Sequence, residues 1–298
     1  TLYIVDEQAR TSGARLLEFL ERHEITVVDA TPSMFRLLLE AGLGTGEHSR
    51  IAHLLIGGEA LPSQLIEQLH AQDHQHRITV TNLYGLTECG VDSTFKSVGP
   101  REAVASAFVP IGRPLPNTRL YIVDDAGQPA PVGVPGEIWI GGPSLARGYV
   151  GNASLSAMAF RPDRFEAGSR LYASGDRGRW TDAGEIEFLG RADGQVKVRG
   201  YRIELGEVEV VLQSHSGVAA AAVAVARADL AHAQLYAYVV AVDTPPTVAD
   251  LRSHLAERLP SYMIPSAFMI LPSLPLNSSG KVDRARLPTM PLRRQLEQ

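Results

Sequence analysis

The chain has 298 residues, 45% hydrophobic and 20% charged, with a net charge of −5 and a single cysteine, Cys89. That is ordinary globular composition for about two domains. It excludes wholesale disorder, a broad basic footprint for nucleic acid and an internal disulfide, and the longest apolar stretch, GVAAAAVAVA at 217–226, is too short to span a bilayer.

In chain order, GARLLEFLER (13–22) places Leu16, Leu17 and Leu20 on one helical face. ITVVDA (25–30) reads as a buried strand stopped at Thr31-Pro32, and residues 33–40 as a helix carrying Met34, Leu37 and Leu38. HLLIGG (53–58) is a short strand. Pro62 suits the first turn of a helix with Leu65, Ile66 and Leu69 inward, and ITVTNLYG (78–85) is a strand running into a loop. This alternation argues for an α/β layered region with a largely parallel sheet. From residue 110 the texture turns β-rich, with strands at 118–124, 136–142 and 184–191. GRADG (190–194) is a polar link. Beyond it come a hairpin turned at Gly200, a helix with Leu205, Val208, Val211 and Leu212 inward, strands at 220–226 and 234–242, and a helix at 247–259. Thr247 and Asp250 have capping-box spacing at the start of that last helix. Residues 194–298 read as a separate small α+β domain.

Generic motifs are few. There is no phosphate-cradling GxxxxGK[ST] loop, and SSGKVD (278–283) lacks its upstream glycine and following hydroxyl. Gly42, Gly44 and Gly46 follow a helix rather than end a strand, which favours a plain loop. His70, His74 and His76 have neither an HExxH pattern nor a cysteine partner and read as a solvated helix end. GGPS (141–144) superficially resembles a carrier-domain serine site but runs into LARGY instead of opening an apolar helix. Cys89 reads as a small buried residue. The lone thiol fits a reducing cytoplasm. The chain begins with Thr1 and shows no leader, which reads as a piece of something longer.

Six segments stand out together: NLYGLTE (82–88), GEIWIGGPSLARGY (136–149), YASGD (172–176), GRADGQVKVRGYRIELGEVE (190–209), LPSYMIP (259–265) and SSGKVDR (278–284). In order, spacing and wording they resemble the adenylation domains of nonribosomal peptide synthetases, within the adenylate-forming superfamily. The resemblance covers about residues 20–290. It implies an α/β plus α+β fold. Residues 1–192 would be the later part of the large core subdomain, α/β layers with a β-rich subdomain. Residues 193–298 would be a small mobile lid domain pivoting at Asp193.

The implied reaction joins a carboxylate to the α-phosphate of ATP and expels pyrophosphate, so anionic groups crowd together and need cations and hydrogen-bond donors. The resemblance assigns Asn82 to the adenine amino edge, Tyr84 to stacking on the ring, Thr87 to phosphate and Glu88 to Mg²⁺. Asp176 would accept both ribose hydroxyls, with Gly85 and Arg191 also at the nucleotide. Lys281 would reach the substrate carboxylate and α-phosphate. In a second pose the loop at Arg199 and Gly200 would line the entry of a carrier domain's phosphopantetheine thiol, which attacks the acyl-adenylate. Singly, each position has a bland reading: a turn at Asn82–Thr87, a cap at Asp176, a linker residue at Asp193, a surface lysine at 281. As an ordered set they point to function.

The surviving pocket positions implied by alignment are Asp29, Leu55, Gly57, Leu83, Val91 and Asp92. Gly57 leaves room, the aliphatics make walls, and two aspartates demand a polar side chain. Glutamine or glutamate is implied, glutamine favoured because a second carboxylate beside two acids is repelled. One departure, Leu86 in place of the usual proline, is expected to loosen its turn. Ala173 and Ser174 stand where the family has a basic residue and threonine, and Ser279 where it has asparagine. The family's first half, with its β- and γ-phosphate loop, is absent, so the 298 residues are expected not to turn over alone. The implied partners are an amino acid, a peptidyl carrier domain, the missing first half and neighbouring synthetase modules, with neither nucleic acid nor membrane. A non-catalytic module with a nucleotide half-site and carrier-docking face, or an acyl-CoA ligase, remain the alternatives.

Overall fold

The computed structural model describes residues 1–10, 12–45, 50–75, 77–99, 102, 104, 106–191, 196–198, 201–203, 205–226, 234–242, 245–275 and 282–287. The chain forms two compact units, Thr1–Asp193 and Gly194–Gln298.

The first unit opens with helices α1 (Glu7–Arg10) and α2 (Gly13–Arg22), strand β1 (Val27–Ala30), helix α3 (Pro32–Glu40), strand β2 (His53–Gly57), helix α4 (Ser63–Gln72) and strand β3 (Thr79–Tyr84). Strands β4 (Thr94–Val98) and β5 (Arg113–Pro114) follow. They form one sheet in the order β1-β2-β3-β4-β5, parallel across β1, β2 and β3 and antiparallel thereafter. Helix α3 starts where Thr31 accepts a hydrogen bond from the Met34 amide and Pro32 supplies a preset φ. The helix buries Phe35, Leu38 and Leu39 rather than Met34 and Leu37, a rotation of the inward stripe by about one residue. Its core partners are Leu16 and Leu20 of α2, Leu65, Ile66 and Leu69 of α4, and Val28, Leu54, Ile56 and Val80 from one sheet face. β1 is therefore buried on one face only; Val27 and Asp29 are exposed on the other.

A second sheet, in the order β10-β9-β7-β6, follows. It comprises β6 (Arg119–Val123), β7 (Gly136–Gly141), β9 (Arg170–Trp180) and β10 (Ile186–Arg191), with β8 (Phe160–Pro162) added to β9 and helix α5 (Ala153–Ala159) preceding it. β9, at 11 residues the longest strand described, is unmarked in the sequence pattern. Ser174, Gly175, Asp176, Arg177 and Gly178 give it no apolar run, because strand propensity reflects packing context more than residue type. Ile122, Ile138, Ile140, Tyr172 and Ile186 of this sheet share a core with Tyr84, Leu86 and Cys89, and this core joins the two sheets.

The second unit contains the hairpin β11 (Val196–Val198) and β12 (Tyr201–Ile203), helix α6 (Leu205–Gln213), and strands β13 (Val218–Ala226) and β14 (Gln234–Ala241). Helix α7 (Val248–Ala256) and strand β15 (Ala267–Ile270) complete it. The sheet order is β13-β14-β15, antiparallel then parallel. Leu205, Val208 and Leu212 of α6 and Leu251 and Leu255 of α7 cover one sheet face. Both halves of the capping box at Thr247 and Asp250 are formed. The Thr247 hydroxyl and amide both donate to Asp250 and hold its carboxyl below the usual range.

Candidate active site

The site is built at the end of β3, where the parallel sheet meets the second sheet. β3 alternates, with Val80, Asn82 and Tyr84 buried and Thr81 and Leu83 half-buried on the opposite face. Asn82 is 2% exposed. Its Nδ2 donates to the Val109 carbonyl at 3.1 Å and the Pro110 carbonyl at 2.9 Å. Both amide donors are thus spent on backbone, and the side-chain carbonyl is left as an acceptor for an incoming donor such as an amino group.

Tyr84 is also buried, and its hydroxyl donates to Asp176 Oδ2 at 2.6 Å. Its ring lies 6.0 Å from that of Phe188. The resemblance gave this ring to base stacking; its clearest contact here is the hydrogen bond to Asp176. Burial, reinforced by the Asp176 charge, pushes the Tyr84 phenol well above its ordinary range. Arg191 Nη1 donates to Asp176 Oδ1 at 2.6 Å in a nearly buried ion pair. Each Asp176 oxygen therefore already holds a donor, so ribose hydroxyls would join existing partners rather than meet a bare carboxylate.

Gly85 follows at a point of close approach. A Cβ there would lie 1.9 Å from the Val91 carbonyl oxygen and 2.6 Å from the Asp92 Cα. The chain then makes a 3-10 turn over Thr87–Cys89, closed by Gly90 in the left-handed region. Leu86 does not loosen this turn. Its side chain is buried, its carbonyl accepts from the Cys89 and Val91 amides, and its φ of −137° lies far from the value proline requires. Thr87 is exposed on the turn.

Glu88 is held from above by two tyrosines that sequence reasoning did not single out. The hydroxyls of Tyr149 and Tyr172 donate to its Oε1 at 2.8 and 2.9 Å and stand 3.2 Å from each other. The Ala146 amide also donates to the Glu88 backbone carbonyl at 2.8 Å. Both tyrosines sat in the quoted segments ARGY and YASGD, and that was the only available signal. Charge-assisted hydrogen bonds of this kind fix a carboxylate in one orientation.

Of the expected pocket positions, Asp29, Leu55, Gly57 and Leu83 alternate along their strands with the buried residues that face the helices. Asp29 stands beside Leu55, and Gly57 beside Leu83. Val91 and Asp92 lie in the loop after the 3-10 turn, and Val91 has φ +78°. Positive φ is a strained conformation for a β-branched residue. Asp193, Arg199, Gly200 and Lys281 lie outside the described residues.

Comparison with known proteins gives this geometry a family. Residues 1–150 match the AMP-binding enzyme model, and residues 207–281 match the AMP-binding enzyme C-terminal domain. The chain is 43% identical over 290 residues to surfactin synthase subunit 1 of Bacillus subtilis, covering 96% of this chain and 8% of that protein. Among solved structures, the Vibrio cholerae adenylation domain AlmE, in complex with glycyl-adenosine-5′-phosphate, is similar with TM-score 0.80 and 29% identity. That match covers 94% of this chain and 52% of the other. Holo-PA1221, an NRPS protein containing adenylation and PCP domains bound to a vinylsulfonamide inhibitor, gives TM-score 0.79 at 28% identity, over 92% of this chain and 46% of that one. The chain thus spans under a tenth of that curated relative and about half of each of these solved chains. With both family models matched in order, the chain belongs to the AMP-binding enzymes, among the adenylation domains of nonribosomal peptide synthetases.

Proposed function

We propose that the protein carrying this chain activates an amino acid with ATP and transfers it to the phosphopantetheine thiol of a peptidyl carrier domain. A substrate carboxylate oxygen attacks the α-phosphorus, the bond to the bridging oxygen breaks, and pyrophosphate leaves. The carrier thiol, losing its proton, then attacks the acyl carbon, and AMP leaves. The observation that carries this reading is the array of Asn82, Tyr84, Asp176 and Arg191, with Glu88, four residues after Tyr84, clamped by two tyrosines.

Within that array Asn82 offers its carbonyl to the adenine amino group, and Tyr84 lines the base. Asp176, held by Arg191, accepts the ribose hydroxyls. Thr87, exposed at the turn, reaches phosphate. Lys281 neutralises the charge that gathers on the carboxylate and α-phosphate. Asp193 serves as pivot, and Arg199 and Gly200 line the thiol's approach.

Glu88 fits Mg²⁺. It is a hard oxygen ligand, and Mg²⁺ is commonly bound by one or two carboxylates plus substrate phosphates rather than by a protein cage. No group of three or more His, Cys, Asp or Glu side chains able to hold a metal exists among the described residues. When bound, Mg²⁺ supplies charge neutralisation at the phosphates, and Tyr149 and Tyr172 keep the Glu88 carboxylate aimed.

The pocket of Asp29, Leu55, Gly57, Leu83, Val91 and Asp92 favours a polar amino acid. Glutamine fits best, since its amide donates to a carboxylate without adding a charge.

The test is ATP–pyrophosphate exchange in the whole protein that carries this chain. Glutamine should support exchange, and Lys281→Ala should lower it about 10²–10³-fold, the cost of removing one transition-state donor. A holo carrier domain should be acylated in preference to CoA. Exchange with no amino acid, or faster acylation of CoA, refutes the reading.

A further inference from the structure

β9 leaves regular pairing at the point where it delivers Asp176. Along β7, Glu137 stands opposite Arg177 and Trp139 opposite Ala173. Ile138 alone therefore faces three residues of β9: Ser174, Gly175 and Asp176. This is a bulge with two extra residues, and bulges re-aim side chains. Gly175 turns it with φ +72°. β10 slips in the same place: Phe188 faces Gly178 and Gly190 faces Arg177, so Leu189 is extra and Arg191 lands opposite Asp176.

Two backbone donors of the bulge find side-chain acceptors. The Gly175 amide donates to Glu137 Oε1 at 2.9 Å. The Asp176 amide donates to Ser174 Oγ at 3.0 Å, and that hydroxyl donates onward to the Ile138 carbonyl at 2.6 Å. Ser174 is 2% exposed, so no water competes freely for it. One side chain from each strand thus ties the bulge across the sheet, and the aspartate at its end is brought to Tyr84 and Arg191.

We infer that Glu137 and Ser174 are positioning residues for ribose recognition: they fix the bulge that presents Asp176, and through it set the protein's preference for a nucleotide carrying both ribose hydroxyls. The inference rests on the reading of Asp176 as the ribose acceptor. Neither residue is itself the ribose acceptor: Glu137 acts through the Gly175 amide, and Ser174 through the Asp176 amide and the Tyr84 hydroxyl beside it.

The experiment measures, by calorimetry on the whole protein that carries this chain, affinity for AMP and for 2′,3′-dideoxy-AMP. Wild type should prefer AMP by about 30-fold, as expected for hydroxyls donating to a charged acceptor. Ser174→Ala and Glu137→Leu should each cut that preference to about 5-fold or less while affinity for the dideoxy nucleotide is retained. Ser174→Thr and Glu137→Gln, which keep an acceptor at each place, should restore it. A merely structural role would weaken both nucleotides equally. Equal weakening, an unchanged preference in Ser174→Ala and Glu137→Leu, or failure of the two conservative variants to restore it overturns the inference while leaving the ribose reading intact. A wild type indifferent to the ribose hydroxyls overturns that reading and the inference with it.

Discussion

Replacing Gly85 by alanine tests the site at its tightest point. The new methyl carbon would sit 1.9 Å from the Val91 carbonyl oxygen, where ordinary contact begins at 3.4 Å. That carbonyl has to retreat by about 1.5 Å, the difference of those distances, and the Asp92 Cα at 2.6 Å must move as well. Both obstacles are backbone, so no rotamer change relieves them. Overpacking of this kind costs about 1–3 kcal/mol, and a rigid backbone clash belongs at the upper end. Reduced entropy of the unfolded chain offsets roughly 0.4–1 kcal/mol. The net loss is about 2 kcal/mol, or about 4–8 °C in Tm for a unit of this size. Gly85 itself lies between Tyr84 and Glu88, so AMP affinity should fall about tenfold in parallel. Gly57→Ala is the control: its added carbon meets the Leu83 carbonyl at 3.3 Å and Leu83 Cβ at 3.4 Å, which a slight shift accommodates. Differential scanning calorimetry and AMP titration of both variants check this. A Gly85→Ala protein with wild-type Tm and wild-type AMP affinity would show that the turn does not pack as described.

Three further outcomes are expected. The Tyr84 phenol, raised by burial and by Asp176, should stay protonated through pH 10 while exposed tyrosines ionise. Its folded-state pKa lies above the unfolded value, so its contribution to stability is complete below about pH 10 and is lost as pH rises toward the folded value. Tyr84→Phe should therefore cost about 2 kcal/mol near neutrality, the worth of a buried hydrogen bond to a charged group, and the gap should shrink in alkaline denaturant titrations. Val91→Gly should stabilise the first unit by about 1 kcal/mol, because relief of a strained positive φ exceeds the entropy penalty of glycine; urea midpoints measure it. Thr247→Ala should destabilise the second unit by about 1 kcal/mol through loss of the capping box, with AMP affinity unchanged.

The sequence alone determined which chemical groups this protein owns and in what order. The segments at 82–88, 136–149, 172–176 and 190–209 carried the family, and apolar periodicity marked α2, α4, α6 and α7 because those helices bury a regular stripe against a sheet. Tertiary structure alone decided how the groups meet. Asp176 reaches Tyr84 across 92 positions of sequence, and Tyr149 and Tyr172 reach Glu88 across 61 and 84. No local pattern encodes such contacts. β9 stayed hidden because glycines and charges interrupt its alternation, and its bulge depends on hydrogen bonds from Glu137 and Ser174 that exist only once β7 lies alongside. Periodicity reports which face of an element is buried; the aim of a polar side chain is set by partners distant in sequence, and those appear only when the sheets close around them.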